Sequence, residues 1–315
     1  WCCRIDPLKE RPMRDMHTFY TEHSPYTDPG EYAPLFDAIP DDIASIARTT
    51  ENLLYHYFAG QYAYGYVVPG ERRPEIDTRY VSKMLARLME MDDSPLTSPR
   101  DHANKVVGCC RDFSTMFCAI ARHKGIPCRV RYGFGAYFGD FYGDHVVSEY
   151  WDGERWVLVD AQMSPAFVKN LNIPFNVLDV PRDQFIVGGD AWLMIREQGA
   201  DPNKFCVTPE MEQPRGTQYV LSHVVQDIAG LNKAECLCWD EWGLSVDTTT
   251  EESVFAHEQL GLIDEVAELT RANNPDLAEL QRLYQNEVFQ FHGTINCWSP
   301  AVPFEQMPLK VTLEG

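Results

Sequence analysis

Gly108-Cys109-Cys110-Arg111-Asp112-Phe113-Ser114 is the stretch on which the reading of this chain turns. Beyond the cysteines, Phe113, Met116, Phe117, Ile120 and Ala121 recur at three- and four-residue spacing, which predicts a helix that starts at the thiols. Gly125, Ile126 and Pro127 predict where it stops. A thiol in a first helical turn faces free backbone N–H groups and the positive end of the helix dipole, and both favour the thiolate. Downstream, His145 and Asp160 flank a predicted hairpin. A nucleophile, a base and a carboxylate that orients the base are the general form of a cysteine-dependent acyl-transfer site.

The hairpin brings the last two together. Asp152-Gly153 between alternating apolar residues predicts a two-residue type I′ turn that pairs Trp151 with Glu154. Carried along strands 145–151 and 154–160, that register sets His145 directly opposite Asp160, with Cβ atoms about 4.5–5.5 Å apart. A further strand is expected over 128–134, followed by a loop of glycines and aromatics over 135–144. Helices are expected from Asp41 and over about 77–91, the second with Tyr80, Met84, Leu85 and Leu88 on one face.

The chain has 315 residues, 44% of them hydrophobic, an ordinary globular balance with room for one elaborated domain or two. Its net charge of −20 argues against nucleic acid as a partner and suits a neutral or cationic substrate. No apolar run approaches the ~20 residues that cross a bilayer. Trp1 to Asp6 lack the charged and apolar regions of a secretory signal, so the cytoplasm is the expected location, with the ten cysteines reduced.

The proline-rich residues 1–40 read as an irregular surface arm, 41–165 as the catalytic core, and 166–315 as an extension packed on it. That extension ends in two helices, about 251–273 and 276–289, broken at Asn274-Pro275, with a proline-rich tail from Asn296. The two helices are a packing layer or a dimer surface.

Four ordered motifs carry a family resemblance. They are Gly-Cys-Cys-Arg-Asp-Phe-Ser at 108–114, Gly-Ile-Pro-Cys-Arg-Val-Arg at 125–131, Asp-His-Val-Val-Ser-Glu-Tyr-Trp at 144–151 and Arg-Trp-Val-Leu-Val-Asp-Ala-Gln at 155–162. Over about 41–165 the chain resembles the transglutaminase-like superfamily, in the manner of a bacterial-type stand-alone member. The resemblance implies an α+β, papain-like fold, helices packed on a small antiparallel sheet. It also implies a catalytic triad of Cys110, the cysteine before Arg-Asp-Phe, with His145 and Asp160; Cys109 is a packed neighbour. The expected chemistry is acyl transfer at a carboxamide through a Cys110 thioester, resolved by water or an amine. It calls for no metal or organic cofactor.

The expected partners are a peptide, protein or small-molecule amide and an amine acceptor. The alternatives are amide formation on a small metabolite and a non-catalytic protein-binding scaffold. Candidates for substrate contact are Tyr137 and Phe138 in the aromatic loop, which either walls a mobile cleft or packs its own rings. Trp192 with Arg196, and Trp239, are further candidates from the extension. Cys236 and Cys238 read as core thiols or, with Cys2 and Cys3, as two halves of a metal site.

Overall fold

The computed structural model describes residues 15–246 and 259–313. Cys2, Cys3, the first part of the expected arm and the start of the helix expected from Glu251 lie outside the described residues. The elements run α1 (Met16–Thr21), α2 (Ile43–Leu53), β1 (Leu54–His56), α3 (Gly60–Tyr64), α4 (Val81–Met91), β2 (Val106–Gly108) and α5 (Cys110–His123). Then come β3 (Cys128–Gly135), β4 (Tyr142–Trp151), β5 (Trp156–Val159), α6 (Pro165–Asn170), β6 (Phe185–Val187), α7 (Gly188–Gln198), β7 (Phe205–Cys206) and α8 (Thr217–Leu231). The chain closes with β8 (Asp240–Glu241), α9 (Leu260–Arg271), α10 (Leu277–Tyr284), β9 (Thr294–Cys297) and β10 (Leu309–Thr312). The fold is α+β, with helices packed on a small, mainly antiparallel sheet.

Helix α5 is central because almost every face of it is covered: all residues from Cys110 to Arg122 are buried. Its polar members are therefore obliged to find partners. At its start the Asp112 carboxylate accepts the Cys109 N–H at 2.8 Å, satisfying a backbone donor just ahead of the helix. At its end Gly125 takes φ +75° and donates to the Arg122 carbonyl, while Ile126 donates to that of Ala121, both at 2.9 Å. That pair of bonds is a Schellman stop, and the left-handed residue it needs is the glycine.

The sheet order is β5-β4-β3-β6, with β7 joining β4 in parallel at Tyr142–Gly143. The expected hairpin forms, but in a different register. Trp151 pairs with Trp156 and Ser148 with Val159, so the turn centres on Gly153-Glu154 rather than Asp152-Gly153. Gly153 sits at φ +107°, and the Asp152 carboxylate accepts the N–H groups of Glu154 and Arg155, both at 2.8 Å. A positive φ at the first central residue is what a type II′ turn asks for. Moving the turn by one residue moves every cross-strand pair by two, so each side chain keeps its face.

The extension is built into the same interior. A single apolar cluster takes in Phe117 and Ile120 of α5, Tyr132 of β3, Trp192 of α7, Val224 of α8 and Val266 of α9. The described part of the expected surface arm also enters it, through Tyr26, Phe36 and Ile39. Nor is the C-terminal region only helical: β8, β9 and β10 form a three-stranded antiparallel sheet, with β10 and the end of β9 falling in the expected proline-rich tail.

Charge is buried with the apolar groups. Arg131 makes a bidentate pair with Asp227 of α8 at 3.0 and 2.9 Å and reaches Glu149 at 3.0 Å. Arg129 meets the same Glu149 at 2.7 Å with its guanidinium 3.9 Å over the Trp156 ring, and Arg182 closes on Glu149 from the rim. All four charged side chains of the inner network are sealed from solvent. Removing one partner strands a charge, which costs about 3–5 kcal/mol. Asp227→Ala is therefore expected to lose about that much stability in urea unfolding; a loss of about 1 kcal/mol or less, the size of a surface pair, contradicts it.

Candidate active site

Three elements converge at the start of α5. Cys110 is its first residue, His145 lies on β4, and Asp160 follows the last residue of β5. Helix and strand are stitched one turn from the thiol: Ser114 Oγ donates to the Val146 carbonyl at 2.9 Å, and Ser148 Oγ donates to that of Ser114 at 3.1 Å. These bonds fix the depth of α5 against the strand that carries His145.

His145 Nε2 and Asp160 Oδ2 are 2.7 Å apart, with each residue about 2% exposed. In the observed register they are diagonal neighbours on one face rather than directly opposed. Diagonal Cβ atoms lie about 7–8 Å apart, a gap that an imidazole and a carboxylate span. The second oxygen of Asp160 accepts the Gln162 N–H at 3.1 Å, and its own N–H donates to the Val177 carbonyl at 2.8 Å. Both anchors aim the carboxylate at the ring.

With Nε2 committed to Asp160, Nδ1 is left for Cys110, and the thiol and imidazole interact side chain to side chain. Burial opposes the charged ring, but Asp160, and then Cys110, outweigh it and push the His145 pKa up to about 10. Cys110 is held well below the usual thiol range, chiefly by hydrogen bonds from the Cys109 and Cys238 thiols and then by His145. Burial pushes Cys109 up to about 12, and its two neighbours push Cys238 up as well. Of the three sulfurs, Cys110 is the one whose surroundings favour the thiolate.

The positions expected to meet substrate divide. The Tyr137 hydroxyl donates to Asp160 Oδ2 at 2.6 Å, the same oxygen that meets His145 Nε2. Phe138 packs its ring edge-on to His145, with centroids 5.1 Å apart. A Cβ at Gly135 or Gly143 would lie 2.5–2.6 Å from that Phe138 ring, so these glycines make room for the aromatic. The loop packs its own rings around the histidine. Trp239 reaches the site's edge: its Nε1 donates to Asp77 at 3.0 Å, and its ring meets Tyr57 edge-on at 6.1 Å.

Trp192 and Arg196 do not line the thiol's surroundings. Trp192 is fully buried and donates to Asp264 of α9 at 2.7 Å, while Arg196 pairs with the same carboxylate at 3.0 Å. Their aromatic–basic spacing is a helix-packing feature between α7 and α9. A surface cavity of about 310 Å³ beside Arg196 is lined by α7 and α9, with Glu197, Asp264, Glu265 and Glu268 its acids, and holds none of Cys110, His145 and Asp160.

Sequence reasoning missed several neighbours. His56, at the end of β1, pairs with Gly108; its Nδ1 accepts the Ala59 N–H at 3.0 Å, and burial lowers its pKa to about 4. Tyr57 follows it and holds the Gly108 carbonyl at 2.9 Å. From α8, His223 Nε2 meets Asp144 at 2.9 Å, a second histidine–carboxylate pair one residue from His145. Its one signal was Tyr219 and His223 at four-residue spacing on a largely apolar helix that also carries Gln218, Ser222, Gln226 and Asp227. Cys238 does not join Cys236: its sulfur lies 3.7 Å from that of Cys110, and Cys109, Cys110 and Cys238 are mutually within 4.8 Å. These three thiols are the group among the described residues that could hold a soft metal ion.

The sequence model of the transglutaminase-like superfamily matches residues 63–161, so this part of the chain is a transglutaminase-like core. A crystal structure from Cytophaga hutchinsonii, described provisionally as a cysteine protease, is similar at 15% identity. The match covers 53% of this chain and 44% of that one, with a TM-score of 0.32, a likeness too distant to inform the site. No curated protein matches the chain.

A thiolate–imidazolium pair has a pH signature. The charged ring is retained until pH rises towards about 10, and the thiolate until pH falls well below the usual thiol range. Alkylation of Cys110 by limiting iodoacetamide is thus expected to stay flat between about pH 6 and about pH 8, where an ordinary thiol speeds up about tenfold per unit. Because the Cys109 and Cys238 thiols are the larger donors, His145→Ala alone should restore only part of the slope, and His145→Ala combined with Cys238→Ala more of it. Peptide mapping reads both, and a Cys110 rate that climbs with pH like that of Cys297 counts against the ion pair.

Proposed function

We propose that this protein is a cysteine-dependent enzyme that transfers the acyl group of a carboxamide through a thioester on Cys110. The observation that carries the reading is the aligned set Cys110, His145 and Asp160, with the imidazole's outer nitrogen 2.7 Å from the carboxylate and its inner one left to the thiol. Matching of residues 63–161 to the transglutaminase-like superfamily supports the same chemistry.

The steps follow from the groups present. The Cys110 thiolate attacks the amide carbon, and the oxygen takes up the negative charge. The N–H of Cys110, in the first turn of α5, has no carbonyl partner within the helix and is the donor assigned to that oxyanion on this reading. Collapse of the intermediate breaks the C–N bond, and the His145 imidazolium gives its proton to the departing amine. Water or an amine then adds to the thioester while His145 takes a proton back, and Cys110 leaves as thiolate. Asp160, held by Tyr137, keeps the ring in the orientation that serves both halves.

Enclosure bears on the substrate. Cys110 is 7% exposed, with Cys238 against its sulfur. A slender carboxamide, a side chain or a small molecule, reaches such an atom more readily than a folded chain laid across a groove. This favours a narrow-pocket amidase or amide-forming enzyme over a broad peptidase.

The test is a panel of short glutamine- and asparagine-containing peptides and small amides, with hydroxylamine as acceptor, scored for ammonia and hydroxamate. Turnover should vanish in Cys110→Ala and fall at least ~10³-fold in His145→Ala. Intact mass under a slow substrate should place the acyl group on Cys110. Turnover that survives Cys110→Ala rules the reading out.

A further inference from the structure

We propose that Cys110 and Cys238 form a reversible oxidation site, in which a peroxide reacts at Cys110 and Cys238 resolves the product as a disulfide. The effect on activity rests on the reading of Cys110 as the nucleophile; the bond itself does not.

The geometry is specific to this pair. The sulfurs of Cys110 and Cys238 lie 3.7 Å apart, in contact, although 128 residues separate them in sequence. Disulfide formation closes this to about 2.05 Å. Cys109 is also near, but neighbouring Cα atoms are only about 3.8 Å apart, short of the 4.4 Å or more that a disulfide usually spans. Cys236, two residues from Cys238, is fully buried and outside the cluster. Cys118 and Cys128 approach to 3.2 Å, but both are sealed in the core, where peroxide does not reach.

Cys238 is held in place from both sides. Gln226 of α8 donates to its carbonyl at 3.2 Å, and Asp240 turns the segment by accepting the Leu237 N–H at 2.9 Å. Cys238 is also the least buried thiol of the three. A nucleophilic thiolate with a second thiol beside it is the arrangement that diverts sulfenic acid into a disulfide before further oxidation.

The chemistry balances with a peroxide as the only added reactant. The Cys110 thiolate attacks one peroxide oxygen and the O–O bond breaks. The far oxygen leaves as water or alcohol, taking the proton of the His145 imidazolium, and Cys110 becomes a sulfenic acid. The Cys238 thiol then displaces its hydroxyl, its proton leaving in a second water, and the S–S bond forms. Sulfur loses two electrons in all and the peroxide gains them. An external dithiol reverses the change.

The experiment uses the full chain, reduced, desalted and treated with one equivalent of hydrogen peroxide. Intact mass should fall by two hydrogen atoms, two thiols should cease to alkylate, and mapping should find Cys110 joined to Cys238. Dithiothreitol should restore both thiols. At three or more equivalents, one peroxide being consumed per oxidation step, Cys238→Ser should drive Cys110 to sulfinic or sulfonic acid, which dithiothreitol does not reverse, while Cys109→Ser at one equivalent should still give the 110–238 link. Wild-type Cys110 that accumulates sulfinic acid while Cys238 still alkylates overturns the proposal, as does a link from Cys110 to any other cysteine. The two readings fail separately. A 110–238 bond in a protein that turns over no amide upholds the oxidation site and sinks the enzyme. Turnover in the reduced protein without that bond does the reverse.

Discussion

One buried guanidinium ties the site to the rest of the molecule. Arg111, the second residue of α5, is fully sealed and pairs with Asp112 at 3.0 Å. It also donates to the carbonyl of Arg79 at 2.8 Å and, from Nε at 3.1 Å, to that of Glu235. Asp112 in turn caps the helix at Cys109. A charge in the interior is tolerable only when paired and fully hydrogen-bonded, so these partners are obligatory rather than incidental. The consequence is positional: the first turn of α5, the strand-like segment before α4 and the segment starting at Glu235 are drawn to one point. Arg122, a further three turns along α5, repeats the device on the Glu235 carboxylate at 3.0 Å. The segment that carries Cys238 and Trp239 is thus held against the helix that carries Cys110.

The same logic joins sheet to extension. Arg129 and Arg131 alternate along β3 and so share a face, where Glu149 of β4 serves both. Asp227 takes the second guanidinium and also the Tyr132 N–H at 3.0 Å, on the part of β3 that β6 leaves unpaired. A helix remote in sequence thereby completes a strand edge and neutralises a buried charge. Taking α8 away would expose both, so the transglutaminase-like core depends physically on residues well beyond 161.

How much of this could be seen in the sequence depends on the range of the interaction. The course and stop of α5 are local, written in the apolar spacing from Phe113 onward and in Gly125, and they were legible. The meeting of His145 and Asp160 survived a wrong turn because side-chain direction repeats every two residues: shifting the turn from Asp152-Gly153 to Gly153-Glu154 kept both on one face. Tyr137 was read only as a candidate substrate contact, since nothing local says that its hydroxyl meets Asp160. Trp192 and Arg196 look like a binding pair only until α9 supplies Asp264. The strands β8, β9 and β10 are two to four residues long, too short for a period to register. Cys238 beside Cys110 is a contact across 128 residues, set by where Arg111 and Arg122 find carbonyls and carboxylate.

That last contact shapes the chemistry in two opposed ways. A buried thiolate needs donors, and the thiols of Cys109 and Cys238 supply them where water is excluded. The sulfur of Cys238 also occupies space beside that of Cys110, 3.7 Å away. On the proposed acyl-transfer reading, a carbonyl that reaches Cys110 displaces Cys238, and Cys110 then gives up one of the hydrogen bonds that hold its pKa down while the contact with His145 stays. The same contact keeps a second sulfur within reach of Cys110 whenever no substrate intervenes.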